Sequence, residues 1–175
     1  MKEVTIYIGG VHASAEPALV KTLLGSCIAV CLHDPGKRIG GMNHFMLPDG
    51  AAGDGERTRF GVHAMDCLIG AIQKLGGDRR RLVAKVFGGA HVLAIRESSA
   101  GVPQQNIEFI RDFLREEGLR VINEDVGGYH PRHVHFQTAS GRAFVKRVGS
   151  REQVRVLTEQ APPMAALSYG DVVLF

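Results

Sequence analysis

The sequence predicts an α+β fold in which two helices are set among many short strands. Apolar residues recur at spacings of three and four over residues 60–75 and again over 103–117, which is typical of amphipathic helices. Elsewhere, short apolar or alternating runs are separated by glycine pairs and turn residues, as strands are. The 175 residues are 45% hydrophobic and 22% charged, which suits one globular core.

The predicted strands each end at residues that interrupt a strand. Gly9 and Gly10 follow the first run, and Asp34-Pro35-Gly36-Lys37 forms a strong turn signal after the second. The predicted strands cover residues 4–8, 28–32, 39–46, 82–87, 119–126, 133–137 and 142–148, of which the last two form a hairpin. Residues 48–59 are rich in Gly, Asp and Arg and are expected to be a loop.

The composition favours a protein of a reducing cytoplasm. Three Cys residues and a strand-like start do not suit a disulfide scaffold or a targeting peptide. No apolar stretch is long enough to span a bilayer, and a formal charge of +3 does not require nucleic acid as a partner. We expect residues 1–150 to form a single domain and residues 151–175 to be a C-terminal extension whose role is open.

A predicted hairpin brings Cys27 and His44 together. Cys27 precedes the run 28–32, and His44 lies in the run 39–46. If the turn is centred between Pro35 and Gly36, residues whose numbers sum to 71 are paired, and Cys27 lies opposite His44. Directly opposed Cβ atoms of antiparallel strands are about 4.5–5.5 Å apart. An imidazole at that distance can take a proton from a thiol.

A Cys/His pair suits nucleophilic attack on an acyl carbon. The thiolate is the nucleophile, and a neighbouring imidazolium lowers the pKa of the thiol. Gly25 and Ser26 are small, so a substrate can approach the backbone, and the Cys27 N–H is a candidate oxyanion donor. The structural alternative is that Cys27 is a buried core thiol. The pattern alone does not separate an amidase from a protease or an acyltransferase.

A second candidate site is a metal site formed by His130, His133 and His135. His133 and His135 alternate along a predicted strand and would project from the same face. A solvated polar face is the simpler interpretation, and we expect no metal ion. Cys67 lies within the first helical pattern and is expected to be in the core.

Two motifs resemble those of a known family. Leu24-Gly25-Ser26-Cys27 and His44-Phe45-Met46-Leu47-Pro48, at this separation, are similar to the chemoreceptor glutamine deamidase family, CheD. Further elements agree in order over residues 22–148, namely Phe87-Gly88-Gly89, Asn106, Asp125-Val126-Gly127-Gly128 and Arg132.

The resemblance implies a fold, a site and a substrate. It implies mixed β-sheets stacked in a layered sandwich with helices packed outside, as in bacterial toxin deamidases of the cysteine hydrolase type. Cys27 is then the nucleophile, His44 its base, and Thr22 the residue that orients the histidine. The candidate substrate-binding or oxyanion residues are Ser26, Gly25, Asn106 and Arg132, although the last two also suit structural hydrogen bonds.

The implied reaction converts Gln side chains on the cytoplasmic helices of methyl-accepting chemoreceptors to Glu, without a cofactor. A CheC-type phosphatase is the second implied partner, and regulation of that partner is the alternative function. A hydrolase that uses a metal at the three histidines is a further rival. For a thiolate–imidazolium pair, activity should fall in mild acid as Cys27 is protonated.

Overall fold

Nine strands and two α-helices are present in the computed structural model, which describes residues 1–47, 54–92 and 101–149. In chain order they are β1 (Lys2–Thr5), β2 (Val11–Ser14), β3 (Ala18–Leu24), β4 (Ile28–Asp34), β5 (Ile39–Asn43), α1 (Asp54–Lys74), β6 (Val83–Gly88), α2 (Gly101–Glu116), β7 (Arg120–Val126), β8 (Arg132–Gln137) and β9 (Ala143–Arg147). A short 3₁₀ helix, Arg79–Arg81, precedes β6.

The strands form two mixed sheets. One has four strands in the order β1-β3-β8-β9, and the other has five in the order β2-β5-β4-β6-β7. The pairs β1/β3 and β6/β7 are parallel and the remaining pairs are antiparallel. The predicted α+β class and the layered arrangement of mixed sheets are therefore confirmed.

Strand β4 shows how the layers are stacked. Its residues are all buried, and they alternate between two apolar clusters. Ile28, Val30 and Leu32 pack with residues of α1 and α2, whereas Ala29 and Cys31 pack with residues of the four-stranded sheet. A strand between two apolar layers needs apolar side chains on both faces, which explains the uninterrupted apolar run in the sequence.

Helix α2 has the amphipathic pattern that the sequence predicts. Its buried face includes Ile107, Ile110, Phe113 and Leu114, at spacings of three and four residues. Helix α1 ends near the expected glycine, since Gly76 has a φ of 96° and donates its N–H to the Gln73 carbonyl. Among the described residues, no helix is long and apolar enough to cross a membrane.

Several predicted boundaries are wrong. Residues 54–59, expected to be a loop, begin α1, and they have no apolar period that would indicate a helix. The first strand is β1 (Lys2–Thr5), not residues 4–8, and strands β2 and β3 are both absent from the predicted set. The β8–β9 hairpin is confirmed. The predicted extension 151–175 lies outside the described residues.

Candidate active site

The register of the β4–β5 hairpin differs from the predicted one by two residues. Cys31 pairs with Met42, and Ile28 forms an isolated bridge with Phe45, so paired residue numbers sum to 73 rather than 71. The turn is longer than expected because the Asp34 carboxylate accepts the amide N–H groups of the two residues after Pro35. The prediction that Cys27 lies directly opposite His44 is therefore wrong.

A shift of two residues nevertheless keeps both side chains on the same face. In the observed register His44 is level with Ala29, and Cys27 is the diagonal neighbour two residues away. Ala29 and Met42 belong to the apolar cluster between the sheets, and Cys27 packs against that cluster. Cys27 and His44 therefore both point into the layer between the two sheets.

His44 immediately follows the end of β5, and its backbone is held by two hydrogen bonds. Its backbone N–H donates to the Gly10 carbonyl over 3.0 Å, and its carbonyl accepts the Gly9 N–H over 2.7 Å. Its ring is buried, and Nδ1 lies 2.8 Å from the Thr22 hydroxyl oxygen. Thr22 comes from β3, whose even-numbered residues face the five-stranded sheet, so this contact joins the two sheets.

The Thr22 contact determines which ring nitrogen of His44 is basic. The Thr22 hydroxyl has one hydrogen and donates it to the Ile6 carbonyl over 2.9 Å. His44 Nδ1 must then carry the ring hydrogen and donate it to Thr22 Oγ1. Nε2 is left with a lone pair, is buried, and has no hydrogen-bond partner among the described residues. A buried, unpartnered acceptor is suited to receive a proton from a reacting group.

The turn that carries Cys27 is fixed through three consecutive carbonyl groups. The Gly25 carbonyl accepts the Ala90 N–H over 2.8 Å, and the Cys27 carbonyl accepts the Gly89 N–H over 2.8 Å. Between them, the Ser26 carbonyl accepts the side-chain amide of Asn106 over 2.9 Å. Cys27 is thus presented by a rigid turn at the start of the central strand β4.

Burial favours the neutral form of both reactive groups. Burial raises the pKa of the Cys27 thiol to about 11, a change that its own backbone amide and the Ser26 side chain only partly offset. Burial lowers the pKa of His44 to about 4. No hydrogen bond joins the Cys27 thiol to His44 within the part of the chain that the structure describes. Burial thus favours a neutral pair over the expected thiolate–imidazolium pair, because no opposite charge among the described residues offsets the burial of either group.

The other two cysteines differ from Cys27 in their environment. Cys31 is buried in the layer between the sheets, where desolvation raises the pKa of its thiol. Cys67 is exposed on α1, with its sulfur 3.5 Å from His63 Nε2, so the prediction that it lies in the core is wrong. In the apolar period of α1, Cys67 lies between residues that face the five-stranded sheet, so its own side chain is exposed.

The remaining predicted site residues are engaged with the protein itself. Asn106 is fully buried and hydrogen-bonds backbone groups at both ends of its amide. Arg132 is buried, and its guanidinium contacts the Asp125 carboxylate at 2.6 Å and the Gly127 carbonyl. The Ser26 hydroxyl lies 3.8 Å from the Met46 sulfur. A Cβ atom on Gly25 would lie 3.1 Å from Val92.

Asn43 supports the segment before His44 from the opposite face of β5, a role that the sequence did not indicate. Its side-chain oxygen accepts the Val30 N–H over 3.0 Å, and its side-chain nitrogen donates to the Ala64 carbonyl of α1 over 3.1 Å. The side-chain amide of Asn43 thus takes the place of a backbone hydrogen bond between β4 and β5, immediately before His44. A polar residue in an otherwise apolar strand was the available signal.

The three histidines of the rival metal site do not form a cluster. His133 pairs with Leu23 and Lys146, whereas His135 pairs with Lys21 and Phe144, all in the four-stranded sheet. Among residues 1–47, 54–92 and 101–149, no group of three or more His, Cys, Asp or Glu side chains is placed to hold a metal ion.

Comparison with known proteins gives one consistent family. A family model described as CheD chemotactic sensory transduction matches residues 46–147. A protein of Xanthomonas axonopodis pv. citri, named a probable chemoreceptor glutamine deamidase CheD, is 46% identical over 157 residues, which cover 90% of this chain and 79% of the relative. Because that stretch is 157 of 175 residues, it includes Thr22, Cys27 and His44.

Two further relatives carry the same name. The protein of Stenotrophomonas maltophilia (strain K279a) is 45% identical over 157 residues, covering 90% of this chain and 79% of the relative. That of Burkholderia orbicola (strain MC0-3) is 47% identical over 158 residues, covering 88% of this chain and 63% of the relative. The chain thus spans less than two thirds of the Burkholderia protein. With this identity over most of its length, the chain belongs to the CheD family.

Proposed function

We propose that this protein is a chemoreceptor glutamine deamidase, which hydrolyses Gln side chains of methyl-accepting chemoreceptors to Glu and so supports chemotactic adaptation. The observation that carries the proposal is that His44 Nε2 has a lone pair and no hydrogen-bond partner among the described residues, and lies on the same face as the Cys27 thiol. The names of the relatives supply the substrate, a glutamine of a chemoreceptor. Hydrolysis of an amide needs a nucleophile and a proton carrier, and this pair provides both.

The proposed reaction starts from the neutral pair. His44 Nε2 takes the proton of the Cys27 thiol as the sulfur attacks the carbon of the Gln side-chain amide. The tetrahedral intermediate collapses, the C–N bond breaks, and His44 returns the proton to the departing ammonia. His44 then removes a proton from water as it attacks the thioester, and Glu leaves as the thiol is restored. Gly25 and Ser26 leave room for the substrate, and the Cys27 N–H is the proposed oxyanion donor.

In this scheme Thr22 is a positioning residue for His44. Thr22→Val removes the hydroxyl and leaves Nδ1–H without an acceptor, so the ring no longer favours the tautomer with a basic Nε2. We expect kcat to fall roughly 5-fold, since one hydrogen bond contributes about 1 kcal/mol and 1.4 kcal/mol is a factor of ten. Steady-state kinetics of ammonia release would measure the change.

Thr138→Val is the matched control for that variant. Thr138 is also buried, and its hydroxyl likewise has two partners, here both backbone groups: the Ala18 N–H and the Glu16 carbonyl. It lies at the opposite end of β3 from Cys27. If Thr22→Val kept the kcat of Thr138→Val, Thr22 would not orient the histidine.

We also propose that the sandwich is of the cysteine hydrolase type found in bacterial toxin deamidases. Two stacked mixed sheets support this, with the cysteine at the start of a central strand and the histidine on its neighbour. Location in the cytoplasm follows from the substrate, because the glutamines in question lie on the cytoplasmic helices of receptors. A CheC-type phosphatase is a proposed second partner, and its binding should survive Cys27→Ala.

Mass spectrometry of a Gln-bearing chemoreceptor cytoplasmic fragment from the same cell would test the proposed reaction. Incubation with the protein should produce the Gln-to-Glu mass change at specific sites. Cys27→Ala should abolish the change, whereas Cys67→Ala should leave it intact because that thiol is exposed on α1. A mass change that persisted with Cys27→Ala would exclude Cys27 as the nucleophile. No change with the wild-type protein would favour the regulatory role.

A further inference from the structure

Asn106 connects the two segments that carry the reactive side chains. Its side-chain nitrogen donates to the Ser26 carbonyl over 2.9 Å, one residue before Cys27. Its side-chain oxygen accepts the Leu47 N–H over 2.9 Å, three residues after His44. Asn106 is fully buried, and the rest of α2 is anchored in the apolar core by Ile107 and Ile110. A single amide on a rigid helix thus holds both segments.

These two backbone groups lie where the β-ladder provides little support. Strand β5 ends at Asn43, and beyond it the backbone pairing with the start of β4 that the structure describes is the bridge between Ile28 and Phe45. Ser26 and Leu47 therefore lie beyond the last pair that the two segments share. A buried carbonyl or N–H without a partner is costly, so the bidentate contact of Asn106 favours one separation of the segments.

We propose that Asn106 is a positioning residue that sets the separation of the Cys27 sulfur and His44 Nε2, rather than a substrate-binding or oxyanion residue. The inference rests on the proposed deamidase function for its kinetic consequence. The two hydrogen bonds act on backbone groups beside the reactive residues, and the Asn106 side chain is fully buried, which favours positioning over contact with a substrate. Proton transfer requires the Cys27 sulfur and His44 Nε2 to lie close to each other. Their separation depends on the relative position of the turn before Cys27 and the segment after His44.

Asn106→Leu keeps a side chain of similar size and removes both hydrogen bonds. We expect kcat to fall by roughly 10- to 100-fold with a much smaller change in KM, because misplacement by about 1 Å can cost a factor of about 100. Thr138→Val is again the control, since it removes buried hydrogen bonds at a distance from the site. It should lower the free energy of unfolding without changing kcat at temperatures where the protein is folded.

Asn106→Asp provides a rescue that depends on protonation. A neutral carboxylic acid has the shape of the amide, and can donate its O–H to the Ser26 carbonyl while accepting the Leu47 N–H. The ionised form instead places negative charge against that carbonyl. We expect kcat of this variant to rise toward the wild-type value as the pH falls from about 8 to about 5, because burial raises the pKa of a carboxyl group. Wild-type kcat should be level over the same range.

The reactivity of Cys27 itself provides a further test, which does not depend on any substrate. In a Cys67→Ala background, the rate of alkylation by iodoacetamide is measured against pH for the wild type, both Asn106 variants and Thr138→Val. Loss of the contact loosens the turn and admits water to the sulfur. The pH dependence should therefore move to lower pH for Asn106→Leu, and for Asn106→Asp where its carboxyl group is ionised. The profile of Thr138→Val should match that of the wild type.

The outcomes separate this inference from the proposed function. If the wild type deamidates receptors and Asn106→Leu keeps both kcat and the alkylation profile of Thr138→Val, the positioning role is overturned. If Asn106→Leu does not fold, a level pH profile of kcat for Asn106→Asp overturns it as well. If the wild type does not deamidate but alkylation of Cys27 still changes with Asn106, the proposed function fails and the positioning role stands.

Discussion

Replacing His44 with Gln should lower kcat for receptor deamidation by roughly 1000-fold, within the range that general acid–base catalysis contributes. Gln can still hydrogen-bond Thr22, so packing around position 44 is largely kept, but an amide cannot accept the proton of the Cys27 thiol. Single-turnover release of ammonia at saturating substrate would measure the effect on chemistry alone. A reduction of less than about 10-fold would show that the proton is carried by another group.

The pH dependence of kcat/KM separates a neutral pair from an ion pair. In the free protein the pKa of His44 is lowered to about 4, so its neutral, basic form persists through mild acid. Activity should stay level from neutral pH into mild acid and fall as the pH approaches about 4, where His44 becomes protonated. A fall already in mild acid would instead indicate a thiolate–imidazolium pair with a lowered thiol pKa.

Gly88→Ala should have the largest effect on stability of any single methyl addition near the site. Gly88 has a φ of 115°, which an L side chain rarely adopts, and an added Cβ would lie 2.0 Å from the Cys27 carbonyl oxygen. Gly88 also pairs with Ile28 and accepts the Gly127 N–H, so the strand has little freedom to withdraw. We expect a loss of more than about 2 kcal/mol in the free energy of unfolding, measured by urea denaturation.

Gly70→Ala is the matched control for that variant. Gly70 lies within α1, where an added Cβ would meet nothing within 4 Å. A helical Gly costs about 0.5–1 kcal/mol relative to Ala, so this variant should unfold at an equal or higher urea concentration. Gly88→Ala with a wild-type unfolding midpoint would mean that the Cys27 carbonyl can move, and that the turn is less rigid than its hydrogen bonds indicate.

Those parts of the fold that depend on local pattern are predictable from the sequence. The apolar period of α2 and the uninterrupted apolar run of β4 each reflect the faces that the element buries. By contrast, β2 is short, and none of its residues is fully buried, so its residues carry little periodic signal. Its place is set by pairing with β5, which is a non-local contact.

The same distinction between local patterns and non-local contacts applies to the site. Cys27 and His44 were predictable because one hairpin carries both, and the two-residue error in register did not change the face on which they lie. The Thr22–His44 contact was implied by family resemblance alone, because it joins two sheets whose stacking no local pattern specifies. The role of Asn106 needed its two backbone partners, which lie 80 and 59 residues away in sequence.

The most direct test of the central claim is interception of the acyl intermediate. A Gln-bearing receptor fragment is incubated with the protein in the presence of hydroxylamine, and the target side chains are identified by mass spectrometry. A thioester on Cys27 predicts that hydroxylamine competes with water, so that a hydroxamate forms at the same glutamines that otherwise become Glu. Deamidation that continued at full rate without any hydroxamate would mean that water attacks the amide directly, and Cys27 would not be the nucleophile.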